Sequence, residues 1–333
     1  MPDISSIEMR RLSYSLGSLL PIKEVLDCSQ KLNNIKPEAM WIPETWGMEN
    51  FSMLSLVSKY NEFSKIGSSI INIYSRSPSL IAMGASTIDT ISNGRLVLGL
   101  GTSSVPIVED FHGNSFESPV QRMKEYVEII RLALSGNKIN YSGTIFSLRD
   151  FSLLTKPVRN KIPIYLAAIN QKMLELTWDI ADGVIFYLRP KNEMKETISR
   201  MQKKKKIDTT LQIITCIHSD HEKAVNRAKK TLSFYIAVGK IYREFLELSG
   251  YAKETQIIFN EYKKGGLDGL EKFVPDKMLD DLCIAGTPDL ALKKLNEFRN
   301  IGINLPIIQF NPIGNVKESF ELLTNTFSGE LNE

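Results

Sequence analysis

The chain has 333 residues, of which 43% are hydrophobic and 24% are charged, as in a globular protein with a sizeable core. This composition excludes a disordered chain, a collagen and a membrane-spanning bundle. The 41 Lys and Arg residues nearly balance the 38 Asp and Glu residues, and the net charge of +3 predicts neither a nucleic-acid nor a membrane partner.

Short apolar runs alternate with amphipathic runs along the chain. The apolar runs predict eight strands, at residues 12–16, 39–42, 65–71, 95–101, 162–168, 183–187, 211–217 and 306–310. Helical patterns follow them, at residues 21–32, 51–60, 78–91, 120–134, 173–181, 193–206 and 222–248, then from about 287 and over 316–326. Eight such units with no break in composition predict an α/β fold, a (β/α)8 TIM barrel with insertions, as one domain over residues 1–333.

Two segments exceed the repeat, and together they account for roughly 83 residues beyond a typical barrel of about 250. Residues 138–156 contain two short β-like runs around Ser142-Gly143, which predict a hairpin insertion. Residues 220–281 are mostly helical and lie between strand seven and the last barrel helices. We expect these insertions to cover a pocket or to contact another subunit.

In a barrel of this type, functional residues follow the carboxyl ends of the strands. Those positions are rich in hydroxyl and amide side chains here, with Glu44 as the one clear carboxylate and no histidine. These side chains are not suited to hydrolysis by paired carboxylates, to a Ser-His-Asp relay or to a metal site. It favours an organic cofactor that carries the chemistry in a neutral pocket.

Two local patterns suggest where phosphate could bind. The turn at residues 167–170 leads directly into a helix, whose free amides could hold a phosphate, although Asn170 could equally serve only as the helix cap. Gly99-Leu100-Gly101 resembles the start of a dinucleotide fingerprint. Residue 104 is Ser, however, and no helix begins before about Pro119, which argues against that interpretation.

The cysteines and the first ten residues indicate the cellular compartment in which the protein is expected. Cys28, Cys216 and Cys283 are few and far apart, which favours a reducing environment and argues against a disulfide framework or a structural zinc site. Residues 1–10 contain no apolar run of signal-peptide length. We therefore expect a cytoplasmic protein.

Several blocks, in the same order along residues 12–327, resemble the bacterial-luciferase-like superfamily. They are Asn72-Ile73-Tyr74-Ser75-Arg76-Ser77-Pro78 and the segments 82–101, 163–168, 181–183, 286–289 and 312–314. Within the superfamily, the sequence is most similar to the methylenetetrahydromethanopterin reductase branch, whose members use the deazaflavin coenzyme F-420. The resemblance implies a barrel, a homodimer, and hydride transfer between the cofactor's C5 and a small-molecule substrate stacked on it.

The resemblance also assigns cofactor-binding positions. It implies a cis peptide bond between Ser69 and Ile70 in a bulge after strand three, which supports the cofactor ring. Glu44 matches an acidic residue after strand two, and Trp46, which follows it into the loop, is expected to contact the ring. The remaining expected contacts are Asn72 and the phosphate-binding turn formed by Ala168, Ile169, Asn170 and Gln171.

Departures from the family pattern affect the expected reaction. Ser15 and Ser104 stand where these reductases carry acidic residues, and Ile169 and Asn170 replace a Gln and a Gly. With Glu44, Ser15 and Ser104 form the candidate catalytic set. Because a neutral Ser cannot relay a proton as Glu does, the cofactor could be kept while the substrate differs. Two alternatives stay open: an FMN-dependent monooxygenase, and a homologue that binds cofactor without turnover.

Overall fold

Eight parallel strands close into a barrel in the computed structural model, which describes residues 11–17, 20–155, 157–159 and 161–331. Residues 1–10, in which we expect no signal peptide, and Lys156, the last residue of the expected hairpin insertion, lie outside these ranges. In chain order the strands are β1 (Ser13–Ser15), β2 (Ala39–Ile42), β3 (Lys65–Ser68), β4 (Ile71–Asn72), β5 (Leu96–Gly101), β6 (Ile139–Ser142), β7 (Ser147–Phe151), β8 (Ile164–Ala167), β9 (Gly183–Tyr187), β10 (Asp208–Ile217), β11 (Cys283–Gly286) and β12 (Leu305–Phe310).

Helices cover the outside of the barrel. They are α1 (Ile22–Ile35), α2 (Asn50–Tyr60), α3 (Pro78–Ile91), α4 (Pro119–Leu134), α5 (Gln171–Ile180), α6 (Lys191–Met201), α7 (His221–Val238), α8 (Lys240–Leu246), α9 (Ala252–Gly265), α10 (Asp276–Leu282), α11 (Pro288–Asn300) and α12 (Val316–Phe327). Their starts follow local chemistry. Before α3, for example, the Ser77 hydroxyl accepts a hydrogen bond from the Leu80 amide, and Pro78 occupies the first turn.

The barrel closes in the order β1, β2, β3, β5, β8, β9, β10, β12 and back to β1, with every neighbouring pair parallel. The main core lies between these strands and the helices, and a smaller apolar cluster fills the barrel interior. In that cluster the rings of Trp41 and Tyr165 lie 5.8 Å apart. Gly67 makes room for them, because a Cβ there would overlap the Trp41 ring. The predicted (β/α)8 barrel is confirmed.

Individual elements differ from the sequence prediction. The strand predicted at residues 65–71 is divided into β3 and β4 by the bulge at Ser69 and Ile70. Strand seven begins at Asp208 rather than at residue 211. The additional strand β11 pairs with β10 outside the barrel ring. Its four residues were too few for the sequence pattern to separate them from the preceding helix.

The helix predicted over residues 193–206 ends at Met201. The lysine run at residues 203–206 therefore follows α6 instead of forming its last turn. The Lys205 ammonium donates to the carbonyl of Ala181 at 3.1 Å, at the carboxyl end of α5. A cation placed there satisfies a carbonyl left free by the helix end and complements its dipole.

The segments that exceed the repeat have regular structure. β6 and β7 form an antiparallel hairpin, and the buried Glu125 carboxylate accepts hydrogen bonds from the Thr144, Ile145 and Phe146 amides at its turn. Residues 220–281 contain α7 to α9 and all but the last residue of α10. The helix predicted over residues 222–248 is divided at Gly239 into α7 and α8. Among the described residues, no helix combines the length and apolarity needed to cross a membrane.

An ion cluster occupies the amino-terminal end of the barrel. The Arg11 guanidinium contacts the Glu38 carboxylate at 2.6 Å and the Asp208 carboxylate at 2.7 Å, and the Tyr165 hydroxyl donates to Asp208. Burial alone would raise the pKa of Glu38 and of Asp208, but the hydrogen bonds and positive charge of Arg11, together with Lys65 and, for Asp208, the Tyr165 hydroxyl, outweigh it and lower both pKa values. These carboxylates therefore stabilise the fold in their charged form.

The Asp208→Asn substitution is expected to lower the free energy of unfolding by about 2 kcal/mol near neutral pH, because it leaves Arg11 and Tyr165 with a weaker partner. Asp208 has a depressed pKa in the folded state, so its contribution is complete above its unfolded pKa of about 3.9 and is lost as pH falls through the folded pKa. Urea unfolding at several pH values measures this difference. Asp27→Asn, in an exposed pair with Lys23, is the control and should have no measurable effect; an equal loss in both variants would contradict the prediction.

Candidate active site at the barrel mouth

The carboxyl ends of the barrel strands meet at one mouth, and the candidate residues lie on or just after them. Glu44 is the charged centre of the loops after β2 and β4. Its two carboxylate oxygens accept from the Arg76 guanidinium at 2.6 and 2.9 Å, and they also accept from the backbone amides of Asn50 at 3.1 Å and Asn72 at 3.4 Å. The Glu44 and Arg76 side chains are only 11% and 12% exposed. The pair therefore ties two mouth loops together, and Arg76 also pairs with Glu49.

The bulge after β3 has the geometry expected at this position. The peptide bond between Ser69 and Ile70 is cis, as predicted. The Ile70 side chain lies against Gly101, where an added Cβ would come within 2.6 Å of the Ile70 Cδ1 atom. The absence of a side chain at Gly101 thus allows Ile70 to lie flat across the end of β5.

Two polar atoms near the bulge are buried without a hydrogen-bond partner among the described residues. They are the Ser69 Oγ and the Asn72 Nδ2. The other end of the Asn72 amide is engaged, because its Oδ1 accepts from the Tyr74 amide at 2.9 Å. Since a buried polar group without a partner costs about 1–3 kcal/mol, these two atoms indicate where a polar ligand edge could bind.

Trp46 and Ser104 lie towards the rim of the mouth. The Trp46 side chain is 56% exposed. Ser104 is the third residue of the loop after β5. Its carbonyl accepts from the Val108 amide at 3.0 Å, and a π-helical turn follows at Ile107–Phe111. Neither residue shares the ion pair that holds Glu44. The structure thus brings Glu44 and Asn72 together and leaves Trp46 open to solvent.

The turn after β8 leads into α5. Ala168 is buried, and the Asn170 Oδ1 accepts from the Met173 amide at 3.0 Å, so Asn170 caps the helix. The carbonyl of Ile169 accepts from the buried Arg189 guanidinium, while the Gln171 side chain contacts Arg200 at 2.8 Å. The Asn170 cap satisfies one backbone amide in the first turn of α5, that of Met173. The other backbone amides of this turn have no partner within the helix, as at any helix start, and are suited to bind an anion.

A polar cavity of about 60 Å³ lies between β1, β10, β12 and α7. Ser15, Gln212, Gln309, Tyr235 and Arg227 contribute to its wall. The Gln212 Nε2 donates to the Gln309 Oε1 at 3.2 Å, and the buried Gln212 Oε1 has no partner among the described residues.

Of this set, only Ser15 was a candidate site residue from the sequence, and Tyr235 lay in the helical insertion expected to cover a pocket or to contact another subunit. Gln212 and Gln309 are polar residues within otherwise apolar strands, and that contrast could have marked them as residues facing a ligand. Nothing comparable marks Tyr235 or Arg227, which reach the mouth from a helix outside the βα repeat. The described residues contain no group of three or more His, Cys, Asp or Glu side chains placed to hold a metal ion.

The sequence profile of the luciferase-like monooxygenase family matches residues 7–305. A 5,10-methylenetetrahydromethanopterin reductase of Archaeoglobus fulgidus is 32% identical over 298 residues, which cover 85% of this chain and 88% of the relative. A putative coenzyme F-420-dependent oxidoreductase of Mycobacterium tuberculosis is 25% identical, with 81% and 86% covered. Among solved structures, a coenzyme F-420-dependent tetrahydromethanopterin reductase of Methanopyrus kandleri superposes with a TM-score of 0.86, at 20% identity, over 96% of this chain and 99% of that one.

The Glu44→Gln substitution is expected to lower the free energy of unfolding by about 2 kcal/mol, because the nearly buried Arg76 loses a charged partner. Urea unfolding measures the change. Glu196→Gln, an exposed position on α6, is the control and should leave stability unchanged. If Glu44→Gln were as stable as the control variant, Glu44 would not be the charge that fastens the two loops.

Proposed function

Because the chain belongs to the luciferase-like monooxygenase family, we propose that it is a coenzyme F-420-dependent oxidoreductase whose reaction takes place at the barrel mouth. The names of two relatives and of the superposed reductase structure support the cofactor class: two of the three state dependence on coenzyme F-420, and the third is a methylenetetrahydromethanopterin reductase. The single structural observation that carries the proposal is the pair of unpartnered polar atoms, Ser69 Oγ and Asn72 Nδ2, beside the cis bulge.

The residues at the bulge fit a deazaflavin. Such a ring system is flat and apolar on its faces and carries carbonyl and ring-nitrogen groups along one edge. Ile70 offers an apolar surface for a face, and Ser69 and Asn72 offer hydrogen bonds for the edge. The free amides of the turn that begins with Asn170 suit the phosphate of the side chain. When bound, the cofactor supplies or accepts a hydride at its C5.

The protein's own groups bind and orient in this proposal. Glu44 and Arg76 fix the loop that carries Trp46 and the end of β4, where the Asn72 amide donates to Glu44, so that Asn72 keeps its position when the cofactor leaves. Ser15 lines the cavity on the substrate side, and Ser104 lies on the rim. The substrate class that fits the family resemblance is a methylene pterin or another flat molecule stacked on the ring.

We also propose a cytoplasmic homodimer, with residues 138–156 and 220–281 as insertions of a single barrel domain. Leu56, Leu80 and Met83 support the dimer, because they are large apolar side chains on the adjacent helices α2 and α3 and are 45%, 49% and 54% exposed. Large apolar side chains exposed on two neighbouring helices favour a contact surface there. The free, buried state of the three cysteines is consistent with a reducing compartment.

Titration with oxidised and reduced coenzyme F-420 should quench the intrinsic fluorescence of the protein at micromolar concentrations. The Ser69→Ala substitution should weaken this binding about 3- to 10-fold, which corresponds to one hydrogen bond. Ser64→Ala is a matched control, because the Ser64 Oγ is also buried without a partner among the described residues but precedes β3 at the opposite end of the barrel. Its affinity should equal that of the wild type. A protein that purifies yellow with bound FMN and does not respond to F-420 would contradict the proposal and favour the monooxygenase.

The Met83→Glu substitution should reduce the mass in solution from two chains to one, because a charge on the α3 surface cannot be buried without a partner. Light scattering coupled to size exclusion measures the mass. Leu248→Glu changes a side chain that is 89% exposed, outside α2 and α3, and should keep the mass of two chains. A wild-type protein with the mass of one chain would exclude the dimer.

A further inference from the structure

The cavity beside Ser15 differs from the rest of the mouth in its ionisable groups. Its wall consists of Ser15, Gly17, Leu20, Pro43, Gln212, Arg227, Tyr235, Gln309, Phe310, Asn311 and Pro312. Among these described residues, Tyr235 and Arg227 are the only side chains that can ionise. An Arg side chain does not release its proton at physiological pH, so Tyr235 is the one group in this wall with a proton suited to acid catalysis.

Helix α7 places the Tyr235 side chain in the wall of the cavity. Arg227, Thr231 and Tyr235 are spaced four residues apart and therefore share one face of the helix. The Arg227 Nε donates to the Pro312 carbonyl at 3.1 Å, and the Thr231 hydroxyl lies 3.4 Å from the Asn311 Oδ1. These contacts attach the helix face to the loop after β12, so Tyr235 is held by the barrel although it belongs to the segment 220–281.

The surroundings of Tyr235 differ from those of its aromatic neighbours. Its ring lies 5.1 Å from the ring of Tyr187 and 6.2 Å from that of Tyr242, both in edge-to-face contact. Burial raises the pKa of all three phenols. For Tyr235, the neighbouring Gln309 amide and the positive charge of Arg227 act against this rise. For Tyr187, whose hydroxyl has no hydrogen-bond partner among the described residues, the neighbouring phenols add to the rise. Tyr235 is thus the phenol whose anion is best stabilised.

We propose that the Tyr235 hydroxyl is the proton donor to the substrate, and this inference rests on the proposed function. Reduction of a polar C=N or C=O bond forms a C–H bond with the hydride from the reduced deazaflavin. It also forms an N–H or O–H bond with a proton, and the π electron pair moves to the nitrogen or oxygen. In a methylene pterin one C–N bond of the methylene bridge breaks instead, its electron pair stays on the nitrogen, and that nitrogen receives the proton while the carbon receives the hydride. The Tyr235 O–H bond breaks to supply that proton. The substrate gains two electrons, the deazaflavin loses two, and the tyrosinate beside Arg227 recovers its proton from water.

The geometry also limits which substrates fit. The heteroatom that receives the proton has to enter the cavity between Tyr235 and the paired amides of Gln212 and Gln309. The unpartnered Gln212 Oε1 offers an acceptor for an N–H or O–H group of the substrate. The cavity therefore suits a group that carries a donor next to the reducible bond, as in a cyclic amide, a hydroxyketone or a partly reduced pterin.

The Tyr235→Phe substitution tests the proposal, with Tyr242→Phe as the matched control. Tyr242 belongs to the same ring cluster, 5.5 Å from Tyr187, but does not line the cavity. Reduced coenzyme F-420 and methylenetetrahydromethanopterin are the probes. In Tyr235→Phe the single-turnover rate of hydride transfer should fall about 100-fold or more, and the loss of rate at high pH that follows ionisation of Tyr235 should disappear. Tyr242→Phe should stay within about twofold of the wild type.

Two binding measurements distinguish an effect of Tyr235 on cofactor binding from an effect on substrate binding. The affinity for F-420 alone should be unchanged in Tyr235→Phe, whereas the affinity for the pterin in the presence of oxidised F-420 should fall about 3- to 10-fold, because one hydrogen bond to the substrate is lost. A rate within twofold of the wild type and an unchanged pH profile in Tyr235→Phe would overturn the role of Tyr235 alone, as would an equal loss of rate in both variants. A wild-type protein that does not bind F-420, or that binds it and transfers no hydride, would overturn the proposed function as well.

Discussion

Closure of the parallel barrel is the constraint on which the rest of this structure depends. The pairing of β1 with β12 places Ser15 opposite Gln309, and the pairing of β9 with β10 places Tyr187 opposite Gln212. In each strand alternate side chains face inwards, so one register fixes every layer of the interior. The amino-terminal end holds the Arg11 ion cluster and the middle holds apolar rings. The polar layer at the carboxyl ends is therefore left to form the mouth.

The loops above that layer are held by a second constraint, the ion pair between Glu44 and Arg76. A carboxylate that accepts two hydrogen bonds from a guanidinium and two from backbone amides is fully engaged. The ion pair acts mainly on geometry, because it sets the distance between the loop after β2 and the loop after β4 before any ligand binds. Acid–base work at the mouth would disturb this pair, which is a physical reason to look for the proton donor elsewhere.

The sequence was sufficient to predict the barrel, because buried parallel strands are continuous apolar runs and amphipathic helices are easily separated from them. It was also sufficient to place the cis bond between Ser69 and Ile70, through the family resemblance. It could not place Tyr235 beside Ser15, because those residues are far apart in the chain and meet only when α7 folds over the closed barrel. The short strand β11 and the true end of α6 were missed because local patterns do not resolve element ends.

The two halves of the proposed site come from different parts of the fold. Ser69 and Ile70 form the bulge after β3, and Asn72 follows it in β4, so all three belong to the barrel itself. Arg227 and Tyr235 belong to the helical segment that interrupts the repeat. A substitution on the inner face of α7 changes the wall of the cavity without moving the bulge, because α7 is attached through the loop after β12. Cofactor binding and substrate choice are then physically separable. If the proposed function holds, this separation explains how one barrel can keep a deazaflavin although Ser15 and Ser104 replace the family's carboxylates. The proton then comes from the phenol of Tyr235.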